Sequence, residues 1–435
     1  MFDKNEFVKT PPMGWNSYDY YDTTVNEAEV RANAKYMAAH LKPFGYEYVV
    51  IDIQWSDPNA GTKRDRFQYI DFSHFTIDEY SRQLPATNRF PSAKDGAGFR
   101  PLADYIHSLG LKFGIHIMRG IPRYAAHTHM KIKGTDVTAD QIANPYSISK
   151  WNPDMYGVDY RKHGAQEYYD SIFELYAQWG VDFVKVDDIC NTNMYPNDPY
   201  SAEKEIEMIH KAIASCGRNI ALSLSPGPAV IEKAWHLSKY ANMWRITDDF
   251  WDNWRLLKNM FERCEVWQAH VAKGCYPDCD MLPVGWLGKG FGNERYTNLT
   301  PDEQITMMTL WCIFRSPLMI GAELTKLDDW TLSLLTNPEV LQLTVSGRGA
   351  RQLERDDQHA VWFSMDDDGS FYTALFNLSD EAQSISVNLN ELGINTAVCV
   401  RDLWKHEDIG CYSSAITADI PAHGAVLYKL MGHVL

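Results

Sequence analysis

The chain has 435 residues, is 45% hydrophobic, contains 14 Trp and 24 Tyr, and carries a formal charge of −16. That length supplies a large core, and a barrel can take up about 250 residues or more of it as one unit. The acidic balance excludes nucleic acid and anionic membrane surfaces as partners, since both need clustered Lys and Arg, and it favours a small neutral ligand.

The N-terminal Met1-Phe2-Asp3-Lys4-Asn5-Glu6 does not lead from basic residues into an apolar stretch, so no secretory leader is expected. No run approaches the roughly 18 apolar residues of a membrane span, so a cytoplasmic protein without membrane contact is the expectation. Eight strand-like runs follow: Met13–Tyr18, Tyr46–Trp55, Leu111–Met118, Asp182–Asp188, Asn219–Ser225, Met243–Thr247, one near Tyr276–Leu282, and Cys312–Ile320. Between them, Asn26–His40 has helical periodicity behind a Thr24-x-x-Glu27 capping box, and Tyr160–Trp179 and Ala202–Ser215 are also helical. Eight strands alternating with helices predict a (β/α)8 TIM barrel over residues 1–342. No Gly-x-Gly-x-x-Gly follows the first strand, so no dinucleotide cofactor is expected. The long stretch from Arg119 to Pro153 lies on the C-terminal side of the third strand and should wall the mouth of the barrel.

From Val345 onward the runs are short, alternating and turn-punctuated: Ala360–Met365, Ser370–Asn377, Gln383–Asn388, Ala397–Asp402, Ala418–Ile420 and Ala425–Leu430. They predict a C-terminal antiparallel β-sandwich domain over 343–435. The eight cysteines are scattered, which points to free thiols in a reducing compartment. Cys275-x-x-x-Cys279 and His127-x-His129 lack a second ligand pair, so no metal is expected. Nothing in the composition opposes a homo-oligomer.

Chemistry concentrates at two strand ends. Val181-Asp182-Phe183-Val184-Lys185-Val186-Asp187-Asp188 runs from an apolar strand into a lysine and two carboxylates, and Met243-Trp244-Arg245-Ile246-Thr247-Asp248-Asp249 does the same about sixty residues later. Catalytic groups of barrels sit at the C-terminal strand ends, and two carboxylates from two such ends suggest a glycosidase. Alternation places Lys185 and Asp187 on the inward face, and Arg245, Thr247 and Asp249 together if strand geometry persists.

Thr10-Pro11-Pro12-Met13-Gly14-Trp15-Asn16-Ser17-Tyr18, Lys185-Val186-Asp187-Asp188-Ile189-Cys190, Trp244-Arg245 with Asp249 and Trp254, and Pro277-Asp278-Cys279-Asp280-Met281-Leu282 together resemble glycoside hydrolase family 27. That family comprises α-galactosidases, α-N-acetylgalactosaminidases and β-L-arabinopyranosidases, retaining exo-enzymes that need no metal. For this chain no cofactor is expected, and with no leader expected a small oligosaccharide or glycoside is the expected substrate. The resemblance implies Asp187 as nucleophile and Asp249 as acid/base. Asp187 must be ionised, which Lys185 or Arg245 would favour, and Asp249 must hold a proton at rest, which burial beside Phe250 and Trp251 would favour. It further implies that Trp15 and Tyr18 line the sugar pocket, that Asp52 binds the 4- and 6-hydroxyl side, and that Lys185, Arg245 and Asp280 are polar contacts. His116 stands in place of a usual Tyr. Where galactosidases carry two consecutive carboxylates, this chain has Asp52-Ile53, which suits a pentose lacking the exocyclic hydroxymethyl group. Ser225 falls at the 2-hydroxyl end and accepts either a bare hydroxyl or a larger substituent. The expectation is therefore a retaining exo-glycosidase for α-D-galactosyl-configured sugars, leaning to β-L-arabinopyranoside, with α-galactoside and then α-N-acetylgalactosaminide as alternatives. A carbohydrate-binding protein on a decayed barrel is the alternative outside enzymes.

Overall fold

The computed structural model describes residues 3–61, 75–192 and 197–432. Eight parallel strands form one curled sheet: β1 (Met13–Asn16), β2 (Tyr48–Ile51), β3 (Lys112–Met118), β4 (Phe183–Asp187), β5 (Ala221–Leu224), β6 (Met243–Arg245), β7 (Tyr276–Asp278) and β8 (Leu318–Ile320). Neighbours in sequence are neighbours in space from β1 to β7, and β8 returns beside β1. A parallel bridge between Leu282 and Ile320 closes the ring just beyond β7. The strands are short and buried on both faces, which is why β2 reads as an unbroken Tyr-Val-Val-Ile rather than an alternation.

Several elements differ from expectation for local reasons. β1 stops at Asn16 instead of Tyr18, because the Asn16 Oδ1 accepts the Tyr18 N–H at 2.9 Å and turns the chain into a one-turn helix, Tyr18–Tyr21. The helix Glu27–His40 is capped by Asn26 with Glu29, not by Thr24 with Glu27. Thr24 donates instead to the Tyr21 carbonyl, and Glu27 pairs with Arg31. The eighth strand begins at Leu318, since Cys312–Phe314 close the helix Pro301–Phe314. That helix is covered on nearly every side, so it has no polar stripe to reveal its period.

The stretch from Arg119 to Pro153 is ordered. It forms the helices Arg123–His127 and Ala139–Ile142 and the strand Ala143–Ile148, which pairs with Met155–Val158.

Helix Pro338–Ser346 spans residue 342, so antiparallel structure begins only after Gly347. It comprises β9 (Arg348–Arg355), β10 (His359–Met365), β11 (Phe371–Asn377), β12 (Gln383–Asn388), β13 (Val398–Asp402), β14 (Glu407–Tyr412), β15 (Ala415–Ile420) and β16 (Ala425–Gly432). Six strands in the order β9-β10-β11-β16-β13-β14 face the β12-β15 pair across a core that includes Val361, Leu375, Val387 and Leu430. The other face of the larger sheet packs on barrel helices, with Phe376 edge-on to Phe261 and Trp362 to Phe314.

One cysteine pair departs from the free-thiol expectation. Cys399 and Cys411 stand directly opposite on β13 and β14, with Cα atoms 4.1 Å apart, and form a disulfide. The other six are thiols. Cys275 and Cys279 face different neighbours: the Lys4 ammonium donates to the Cys275 sulfur, and Cys279 lies 3.5 Å from the Cys264 sulfur. Among the described residues no helix is long and apolar enough to cross a membrane.

Candidate active site

A cavity of about 250 Å³ opens at the C-terminal ends of the barrel strands. It is lined by eight of the residues expected to face a ligand: Tyr18, Asp52, Ile53, His116, Lys185, Asp187, Arg245 and Asp280, together with Asp249.

Just past the end of β2, the Asp52 carboxylate accepts from the Asn16 amide at 2.8 Å and the Lys185 ammonium at 3.0 Å. Burial would push its pKa up, but Lys185, His116 and the Ile53 N–H outweigh that and hold Asp52 below the usual carboxylate range. The next side chain, Ile53, also reaches the cavity and packs with Phe75, Met118 and Met155 against Tyr18. The second side chain at this corner is therefore wholly apolar.

β4 supplies Lys185 and Asp187. The Ser225 hydroxyl donates to Asp187 Oδ2 at 2.8 Å, His116 Nε2 lies 3.4 Å from the same oxygen, and the Asp188 N–H donates to Oδ1 at 2.6 Å. Burial raises the pKa of Asp187, but His116, Lys185 and Ser225 prevail and hold it low. A carboxylate surrounded by donors is an anion at neutral pH. Burial alone would weaken the Lys185 ammonium, yet Asp52, Asp187 and Asp280 keep its proton tightly held. Asp188 leaves the strand at φ 55° and turns outward, where Arg119 bridges it at 2.9 Å and also reaches Glu205 on the helix Glu203–Ser215.

Beyond β6 and β7, Arg245 joins two acids. Its guanidinium pairs with Asp280 at 2.8 Å and with Asp249 at 3.2 Å, and the Phe250 N–H donates to Asp280 at 2.8 Å. Strand geometry does not persist past Arg245: the Ile246 N–H makes the last ladder bond, to the Asp278 carbonyl, and the chain bends over 246–248. Thr247 is therefore not on the cavity wall, and Asp249 reaches the cavity from a loop. Asp249 is also not buried as expected. Its side chain is 60% exposed, while Phe250 turns inward against Trp311.

Two other expectations are corrected. Trp15 is fully buried and donates to the Ala322 carbonyl, so it is a core residue of the closure between β1 and β8 and not a wall of the cavity. Ser225 is buried behind Asp187, and its hydroxyl serves that carboxylate. Asp19 and Trp151, which the sequence pattern did not mark, also line the cavity, as does Trp251 near Asp249. Trp151 comes from the stretch between β3 and the helix Ala165–Trp179 expected to wall the mouth. Asp19 lies in the helix after β1 and carried no signal, since no strand leads into it.

A barrel mouth holding an ionised, donor-ringed aspartate and a second, exposed one is the architecture of a glycosidase. Residues 158–346 match the family model described as alpha galactosidase A, and 356–430 match the alpha galactosidase C-terminal beta sandwich domain. A structure of the family 27 β-L-arabinopyranosidase from Geobacillus stearothermophilus, a variant in complex with arabinose, is 54% identical with a TM-score of 0.96, covering 100% of both chains. A putative α-N-acetylgalactosaminidase from Bacillus halodurans is 49% identical with a TM-score of 0.87 over 97% of both. Alpha-galactosidase 2 of Arabidopsis thaliana is 26% identical over 99% of this chain and 91% of its own length. The chain belongs to glycoside hydrolase family 27 and is a hydrolase of glycosidic bonds.

Proposed function

We propose that the protein removes terminal β-L-arabinopyranosyl units with retention of configuration. The observation that carries the sugar assignment is the apolar corner beside Asp52. Ile53, buried with Met118 and Met155, offers nothing to a 6-hydroxyl. An arabinopyranose has none to satisfy, whereas a galactose would bury one without a partner. Overall likeness to the Geobacillus arabinopyranosidase supports the same reading.

In this reading Asp187 attacks the anomeric carbon while Asp249 gives a proton to the glycosidic oxygen, and the aglycone leaves as an alcohol. The products of that step are a glycosyl ester on Asp187 and an ionised Asp249. Water then attacks the same carbon, Asp249 takes its proton, and Asp187 is released as carboxylate. Two inversions give net retention. His116, Ser225 and Lys185 keep Asp187 ionised and are the groups that stabilise it as leaving group in the second step. Arg245 ties the loop carrying Asp249 to Asp280 across the mouth.

The test is kcat/KM on three nitrophenyl glycosides: β-L-arabinopyranoside, α-D-galactopyranoside and α-N-acetylgalactosaminide. The arabinoside is expected to be the best substrate. Preference for either of the others by a wide margin refutes the sugar assignment.

A further inference from the structure

The cavity contains a carboxyl that none of these steps uses. Asp19 is 2% exposed and lines the cavity from the one-turn helix after β1. Among the described residues, nothing lies within hydrogen-bond reach of its Oδ2. A buried polar atom without a partner costs about 1–3 kcal/mol, so one retained on the wall of a ligand cavity needs a reason. The atom is also accommodated specifically. Gly321, just past β8, has no side chain, and a Cβ there would overlap Asp19 Oδ2. The Asp19 carbonyl is anchored in turn by the Gly288 N–H at 2.9 Å.

The electrostatic setting says which form this carboxyl takes. Six acids, Asp19, Asp52, Asp187, Asp248, Asp249 and Asp280, share the cavity with Lys185 and Arg245. Lys185 already serves Asp52, and Arg245 serves Asp280 and Asp249. Burial, then the nearby Asp280, lifts Asp19 well above the usual carboxylate range, with Lys185 opposing. A protonated carboxyl both donates and accepts, whereas the ionised Asp52 only accepts and Lys185 only donates. A sugar hydroxyl, itself donor and acceptor, is the complement of such a group.

We infer that Asp19 is a sugar-binding residue whose carboxyl exchanges a hydrogen bond with one ring hydroxyl of the bound pyranose. The inference rests on reading the cavity as the sugar site, and adds a residue to that site.

The experiment measures kcat/KM of wild type, Asp19→Ala and Asp19→Asn on nitrophenyl β-L-arabinopyranoside and on its 2-, 3- and 4-deoxy analogues. On the parent, Asp19→Ala is expected to lose about 5- to 100-fold, the cost of one lost buried hydrogen bond. On the analogue lacking the partner hydroxyl, the same substitution should change kcat/KM by less than about twofold. A purely structural role would lower all four substrates alike, and that result overturns the proposal, as does full activity of Asp19→Ala on the parent. Failure of wild type on every nitrophenyl glycoside would instead sink the sugar-site reading and this inference with it. Should both variants fail to fold, a crystal of wild type with L-arabinose decides. A sugar hydroxyl within about 3.2 Å of either Asp19 carboxyl oxygen supports the assignment, and a water alone beside that carboxyl refutes it.

Discussion

Ile53→Asp should move preference from the arabinoside toward the galactoside. The Ile53 side chain is 4% exposed, so its replacement removes about 1.5–3 kcal/mol of apolar burial and lowers stability by a comparable amount. The new carboxylate would sit next to Asp52, whose charge is already taken up by Asn16 and Lys185 at 2.8 and 3.0 Å, so neither of those groups is a spare donor for it. With galactose bound, the 6-hydroxyl supplies that donor. With arabinose it does not, and the unpaired group costs about 1–3 kcal/mol, which is about 5- to 150-fold in the ratio of kcat/KM values. The wild type need not exclude galactose absolutely, since an apolar pocket rejects an added hydroxyl by only about a hundredfold. The assay is kcat/KM for both nitrophenyl glycosides on wild type and variant, with thermal unfolding to confirm that the variant is folded at the assay temperature. A ratio that stays within twofold of wild type would mean that Ile53 does not face carbon 5 of the sugar. The sugar assignment would then fall, and the roles of Asp187 and Asp249 would be untouched.

Asp187→Ala should abolish turnover of every substrate, with azide or formate restoring part of it and giving a product of inverted configuration; rescue with retained configuration would remove Asp187 as nucleophile. Asp249→Ala should still attack a nitrophenyl glycoside, whose leaving group needs little protonation, so the glycosyl-enzyme accumulates and azide yields a retained product. If Asp248→Ala behaves this way and Asp249→Ala does not, the acid/base is the neighbouring residue. Burial and the adjacent Asp280 lift Asp278 to about 7, against roughly 3.9 for an unfolded aspartate. A raised carboxyl keeps its proton in the folded state, so its contribution to stability is full below about pH 3.9 and is lost as pH rises through 7, at up to about 1.4 kcal/mol per pH unit. Urea unfolding from pH 4.5 to 7 should show a shallower decline for Asp278→Asn than for wild type; identical slopes would refute this.

What could be read from the chain follows from how each segment is buried. β2 and β4 are covered on both faces, so they appear as apolar runs, and the charge that ends β4 stands out against them. The same contrast located Lys185, Asp187 and Arg245. It could not locate Asp19, which follows β1 after a turn imposed by the Asn16 side chain, in a helix too short to have a period. Nor could alternation describe Asp249, because the chain leaves strand geometry at Ile246. The Cys399–Cys411 pair was hidden because β14 is mostly exposed and shows no apolar alternation, so nothing marked Cys411 as the cross-strand partner of Cys399. Trp15 shows the opposite limit. An aromatic in a motif tells that a position matters, while its direction, here toward the Ala322 carbonyl, depends on how the ring of strands closes.

The helix Pro301–Phe314 has a consequence for how the two sheets depend on each other. It immediately precedes β8, the strand that brings Ile320 to Leu282 and completes the ring, and it is roofed by the large antiparallel sheet through Trp362. Its outward face is as apolar as its inward one, so without the roof it would meet water with Met, Leu, Trp and Phe. The C-terminal sandwich is thus the outer wall of the last βα unit of the barrel. A chain cut after Gly347 would not be a smaller enzyme. It would be a barrel with its closing stave undocked, and the mouth in which Asp187 and Asp249 meet would lose the circumference that sets their separation.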